Sequence, residues 1–185
     1  MWDMRTGDCV AALKGHTSDV CGAYFSTDGS KIVTGSLDKT VRIWDVRSTQ
    51  ALHVLRGHTG EVICVAFSTD TTKVASSSTD NTTKIWSAAT GQLLSTCEGH
   101  TEEVGKVVFC PQGNKVLTSS DDCTCRLWDA ETGNCLEVLE GHTDSVLTCA
   151  FNYAGDRIIT ASKDNTVRQW KAGEVTKHED DEFPF

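Results

Sequence analysis

The sequence predicts an all-β propeller of four-stranded blades, with four full repeats after one partial leading repeat. Three observations lead there. A Gly-His pair recurs at Gly15-His16, Gly57-His58, Gly99-His100 and Gly141-His142, in steps of 42 residues. A tryptophan follows each histidine by 28 residues, at Trp44, Trp86, Trp128 and Trp170, and Trp2 lies one period further upstream. Between these marks every repeat carries short apolar runs separated by turn formers. A repeat of about 40–45 residues with this opening and closing is the signature of propeller blades.

The repeats divide the chain. Residues 1–14 end a preceding blade, residues 15–56, 57–98, 99–140 and 141–170 are four repeats, and residues 171–185 form an acidic tail. Met1 to Asp3 reads as the end of a strand and Cys9 to Leu13 as a short outer strand; the latter's counterparts are Leu52 to Leu55, Leu93 to Cys97 and Leu136 to Leu139. After each Gly-His-Thr comes an apolar run: Val20 to Phe25, Val62 to Phe67, Val104 to Phe109 and Val146 to Phe151. Such runs suit an inner strand covered on both faces. Turns rich in Asp, Gly, Asn and Pro follow, as at Asp28-Gly29 and Pro111 to Asn114. The next strands are Lys31 to Ser36, Lys73 to Ser78, Lys115 to Ser120 and Arg157 to Ser162. Each repeat then closes on a strand of the type Val41-Arg42-Ile43-Trp44, where alternation marks one buried face. Glu179 to Glu182 and the ending Phe183-Pro184-Phe185 read as a solvated tail or a docking peptide.

Composition narrows the function. With 17 basic and 26 acidic residues the net charge is -9, which disfavours phosphate backbones and anionic membranes and favours a basic partner. Nine cysteines, an odd number off any one repeat position, mostly replace small apolar residues in strands and read as small hydrophobes in a reducing, intracellular compartment. Cys123 and Cys125 have no zinc-site spacing, and no apolar run spans a membrane.

Four side chains recur together: His16, Ser36, Asp38, Trp44; His58, Ser78, Asp80, Trp86; His100, Ser120, Asp122, Trp128; and His142, Ser162, Asp164, Trp170. A catalytic triad occurs once per site, whereas this set occurs in every repeat. The expected role is therefore structural, with Asp and Ser satisfying the imidazole and the indole N–H bonding the Ser hydroxyl. No catalytic residue, metal site or cofactor is expected. Arg42, Lys84, Arg126 and Arg168, two residues before each Trp, are expected to stack on a neighbouring ring.

These residues resemble those of the WD40-repeat family from Trp2 to Trp170, with Ser87 and Lys171 where Asp would follow Trp. The resemblance implies a non-enzymatic interaction platform, usually a ring of seven blades. Here a piece of such a ring, two chains paired into a larger ring and a closed four-bladed ring all stay open. The segment from Lys84 to Trp170, with Pro111-Gln112-Gly113-Asn114 and Phe151-Asn152-Tyr153, is similar to the dynein assembly factors with WD repeats. That implies an adaptor for outer-arm dynein and intraflagellar transport, with a cytoplasmic or ciliary location. The alternative is a substrate receptor of a ubiquitin ligase or another WD-repeat assembly scaffold. In such a fold the loop after Gly-His and the turn before each Asp share one rim. The expected partner-binding rim is Asp19, Cys21, Leu37, Glu61, Ile63, Thr79, Glu103, Asp121, Ser145, Leu147 and Lys163. Its acidity suits a basic or mixed-charge peptide.

Overall fold

The computed structural model describes residues 1–171. Of the tail expected over residues 171–185, Lys171 ends the last strand and the remainder lies outside the described residues.

Blade 1 consists of β1 (Val20–Phe25), β2 (Lys31–Ser36), β3 (Thr40–Asp45) and β4 (Ala51–Arg56), paired antiparallel in that order. Blade 2 repeats this with β5 (Val62–Phe67), β6 (Lys73–Ser78), β7 (Thr83–Ser87) and β8 (Leu93–Cys97). Blade 3 does so with β9 (Val104–Phe109), β10 (Lys115–Ser120), β11 (Cys125–Asp129) and β12 (Cys135–Leu139). Blade 4 has β13 (Val146–Phe151), β14 (Arg157–Ser162) and β15 (Val167–Lys171), three strands among the described residues. All pairing is between neighbours in sequence, so each blade is a meander of short connections.

The turns explain why the chain reverses where it does. In blade 1 the Ser26 hydroxyl donates to Asp28 Oδ1 at 2.6 Å and accepts from the Lys31 N–H at 2.9 Å, closing the β1–β2 loop. Hydrogen bonds from Ser26 and Ser30 pull the Asp28 carboxyl down to about 2. Blade 2 copies this with Ser68 and Asp70. Each β2–β3-type turn places a non-glycine residue at positive φ: Lys39, Asn81, Cys123 and Asn165, between 65° and 68°. Asn tolerates that conformation best.

The core lies between blades. Val33, Val41 and Ile43 of blade 1 pack with Val62, Val65 and Val74 of blade 2, all 1% exposed or less. Ala75, Ile85 and Cys97 meet Val107, Val116 and Trp128 at the next junction, and Leu117, Cys125 and Leu127 meet Val146, Cys149 and Ile158 at the third. Alternation along each strand supplies one face to each neighbour, so a blade is stabilised by the blades that flank it. Gly35 shows how tight the fit is. A Cβ there would stand 2.8 Å from Val62 and Val65 side-chain carbons.

The array does not close on itself. Val20 and Phe25 of blade 1 are 50% and 60% exposed, and Ile159 and Val167 of blade 4 are 51% and 72% exposed. Faces that are buried at every internal junction are thus uncovered at the two ends, which sets aside the closed four-bladed ring. Nor does Cys9 to Leu13 form the expected strand. It makes only the single bridge Trp2↔Cys9, because a lone outer strand has little sheet to join. The cysteines carry no disulfide among the described residues, and burial pushes the Cys97 thiol up to about 12.

Leu117→Ala empties a fully buried site and should destabilise the fold by about 3 kcal/mol in a denaturant melt. Leu136→Ala, at a half-exposed outer-strand position, should cost about 1 kcal/mol or less. Equal costs would contradict a core placed between blades.

Candidate functional site

Each blade contains one chain of donors and acceptors, and its geometry corrects the hydroxyl read from the sequence. In blade 1 the indole Nε1–H of Trp44 donates to Thr34 Oγ1 at 2.9 Å, and His16 Nε2 meets the same oxygen at 2.7 Å. His16 Nδ1 meets Asp38 Oδ2 at 2.8 Å. Blade 2 uses Ser76 between Trp86 and His58, blade 3 Thr118 between Trp128 and His100, and blade 4 Thr160 between Trp170 and His142. The bonding hydroxyl therefore stands two residues before the one expected. Ser36, Ser78, Ser120 and Ser162 instead accept the backbone N–H of the Asp two residues on, at 3.0–3.1 Å. The register explains why. Trp44 pairs with Ile32 across the strands, so Thr34 is its diagonal neighbour on that face, while Ser36 is four residues from Ile32, about 13 Å along the strand.

The direction of the protons follows from what each group can do. A carboxylate only accepts, so imidazole Nδ1 carries the proton that meets Asp. An indole only donates, so the hydroxyl accepts from Trp, and its own proton is left for Nε2 of a neutral imidazole. The order is Trp to hydroxyl to His to Asp. Burial lowers the pKa of His58, against the opposing pull of Asp80, which favours this neutral form.

The Asp end is fixed by several donors. Burial alone would raise the Asp38 carboxyl. Hydrogen bonds from the Thr40 hydroxyl, the Thr17 N–H, His16 and the Thr40 N–H outweigh it and hold the carboxyl well below the usual range. Asp80, Asp122 and Asp164 are lowered by similar sets of bonds. Every polar atom of the set is used in holding the Gly-His loop to the β2–β3-type turn, so none is presented to a substrate. Among the described residues no three His, Cys, Asp or Glu side chains gather as a metal-binding group.

The basic residues before each Trp divide. Arg42 lies 5.8 Å from the Trp44 ring centroid and Arg126 lies 6.0 Å from that of Trp128, while Lys84 turns to the Thr96 hydroxyl. The glycine of Gly-His passes over this stack. At Gly99, with φ of 152°, a Cβ would stand 2.7 Å from Arg126 and 3.3 Å from Trp128.

The rim is where unused side chains gather. The four expected pairs are joined through the backbone: Leu37 N to Asp19 O, Thr79 N to Glu61 O, Asp121 N to Glu103 O and Lys163 N to Ser145 O, at 2.9–3.0 Å. Asp19, Cys21, Glu61, Glu103, Asp121, Leu147 and Lys163 are exposed, and Leu37, Ile63 and Thr79 are half-buried. Ser145 is not available. It is 8% exposed, and its hydroxyl meets Lys163 Nζ at 3.3 Å. The field is negative. The Cys21 thiol is raised by burial and then by Asp19 and Glu61, and the Cys123 thiol by burial and then by Asp144, Asp122, Asp121 and Asp164. Asp144 is a rim acid that the repeat-by-repeat reading passed over, since Ser18, Gly60 and Glu102 hold its place elsewhere. A second feature went unread. Phe109 and Pro111 meet Phe151, Asn152 and Tyr153 in a cleft between blades 3 and 4, where two distinctive sequence phrases come together.

A family model described as WD domain, G-beta repeat matches residues 7–45, 49–87, 91–129 and 133–171. These units are out of phase with the sheets. Residues 49–87, for example, hold β4 of blade 1 and then β5 to β7 of blade 2. Among curated proteins, the periodic tryptophan protein 2 homolog of Schizosaccharomyces pombe (strain 972 / ATCC 24843) is 44% identical over 43 residues. That stretch is 23% of this chain and 5% of that protein's length. Among solved structures, the crystal structure of the computationally designed Ika4 protein is similar, with a TM-score of 0.81 and 32% identity. The likeness covers 91% of this chain and all (100%) of that one.

Two outcomes test the site. Thr118→Val strands the Trp128 indole and one His100 nitrogen, and should cost about 2–4 kcal/mol. It should also move the Trp128 indole N–H resonance, which Ser120→Ala, costing about 1–2 kcal/mol, should leave in place. The opposite pattern would restore the serine as the bonding hydroxyl. In acid, both titrations act in one direction. The lowered His58 pKa means that the unfolded chain binds more protons below 6.5, and the lowered Asp values do the same below 3.8. The melting midpoint should be level between about pH 7 and 8, fall below 6.5 and fall further below 4. A midpoint that rises on acidification would contradict this.

Proposed function

The chain belongs to the WD domain, G-beta repeat family, and from that premise we propose that it is a non-catalytic scaffold that binds a protein partner through its acidic rim. The observation that carries the reading is the rim itself. Asp19, Glu61, Glu103 and Asp121 stand exposed on one edge of successive blades, beside Leu37, Ile63 and Leu147. Of the neighbouring lysines, Lys39 is engaged with Thr59 O and Lys163 with Ser145. The carboxylates therefore keep their charge for an incoming group. A basic or mixed-charge segment, with apolar side chains between its cations, complements such an edge.

The finer reading, an adaptor for outer-arm dynein assembly and transport in the cytoplasm and cilium, rests on the resemblance of the segment from Lys84 to Trp170. Neither similar protein above is named for dynein. Failure of the chain to co-purify with outer-arm dynein subunits from a ciliated cell would remove that pathway and leave the scaffold reading standing.

The rim is tested with the substitutions Asp19→Lys, Glu61→Lys and Glu103→Lys combined. Each exposed charge contributes about 0.5 kcal/mol to a complementary contact, so affinity for a fluorescent peptide rich in Lys and Arg should drop about tenfold or more. The melting midpoint should stay within a few degrees of the parent. Unchanged affinity, or affinity insensitive to salt, would overturn the rim assignment.

A further inference from the structure

We propose that Lys106 and Tyr24 form a carboxylate-binding site on the inner side of the blades, where an acidic side chain of the partner segment pairs with the Lys106 ammonium. The flanking cations of that segment stay on the rim. The inference rests on the rim reading above and adds the group that enters beyond it. The inner strands β1, β5, β9 and β13 stand side by side. Among the described residues Lys106 is the one charged residue on these four strands. Its counterparts are Gly22, Cys64 and Thr148. A chain with a net charge of -9 thus sets a single cation among neutral inner-strand side chains.

The two side chains meet across a blade. Lys106 Nζ, from β9, donates to the Tyr24 hydroxyl of β1 at 3.3 Å and lies 5.6 Å from the centroid of that ring. Tyr24 does not belong to the uncovered face of blade 1. It pairs with Val33, which packs with Val62 and Val65 of blade 2, so the ring projects from the face turned toward the next blade. An ammonium only donates, so the phenol oxygen accepts from Lys106 and its own O–H is left over. Ammonium and phenol then offer two donors side by side, which suits the two oxygens of one carboxylate. Among the described residues the Lys106 ammonium forms no ion pair, and its hydrogen bond goes to the phenol. Burial alone would lower its pKa, but Cys64, Tyr24 and Cys149 outweigh burial and hold the group above the ordinary lysine value. A half-buried cation of this kind gains from a counter-charge. Depth links the site to the rim. Glu103 and Asp121 are joined just before β9 begins, and Lys106 follows Val104 by two residues, about 7 Å along the strand. A wholly basic segment would satisfy the rim and oppose Lys106, whereas one Asp or Glu between cations answers both.

The test uses two fluorescent peptides rich in Lys and Arg that differ only at one central position, Glu in the first and Gln in the second. The 185-residue chain should bind the Glu peptide about tenfold more tightly, as a charge-assisted pair provides. Attraction to the acidic rim alone predicts the reverse order, since the Glu peptide carries less positive charge. Lys106→Met should bring the two affinities together. Tyr24→Phe, which keeps the ring and loses only the hydroxyl, should narrow the gap about threefold. Circular dichroism checks that each variant is folded, and if Lys106→Met is not, Tyr24→Phe carries the comparison. Equal affinity of the parent chain for the two peptides overturns the proposal and leaves the rim reading standing. A preference for Glu that the folded variants keep in full also overturns it. Binding of neither peptide removes the rim reading and this proposal with it.

Discussion

One hydroxyl per blade holds the structure together. Thr34, Ser76, Thr118 and Thr160 each receive an indole proton and face an imidazole nitrogen, so strand, loop and turn meet at a single oxygen. Burying an indole, an imidazole and a carboxylate without partners would cost several kcal/mol in each blade. Joined in order, they leave almost no unsatisfied group. The turn Asp is held there by four donors, and the Gly-His loop cannot lift away without breaking them. Because blades support each other only through neighbouring faces, this internal tie gives each sheet a defined shape to present to the next.

The same tie frees the rim. Once the Asp side chain and the hydroxyl of Ser36 and its counterparts have fixed the turn, the residues beside them have no packing duty. Leu37, Thr79, Asp121 and Lys163 differ in every blade, yet each donates its N–H to the preceding loop. Backbone geometry is therefore constant while side-chain chemistry varies, which is the condition for a scaffold surface to be tuned to a partner. The net charge of -9 is expressed there as a row of carboxylates on one edge.

Much of this was legible from spacing. The 42-residue step of His16, His58, His100 and His142 carries the blade count, and the alternating Val41-Arg42-Ile43-Trp44 pattern carries the strand facing the core. The bonding hydroxyl was not legible, for a physical reason. Positions 36, 78, 120 and 162 are always Ser, while positions 34, 76, 118 and 160 vary between Thr and Ser. The uniform position is the more conspicuous, but both lie on one strand face. Only the cross-strand register places the earlier one beside the indole. Ser145 was misplaced because a repeat alignment gives position and not depth. Cys9 to Leu13 was misjudged because a strand needs a sheet, and pattern alone does not supply one.

The central claim is that protons run in one direction from tryptophan to aspartate. The most direct measurement is nitrogen-15 NMR of the histidine rings at neutral pH, together with exchange of the indole protons. For His58 the account predicts a protonated Nδ1, a bare Nε2 accepting a hydrogen bond, and a slowly exchanging Trp86 indole proton. A proton on Nε2 of His58, or a Trp86 indole proton that exchanges as fast as in an unfolded chain, would contradict it.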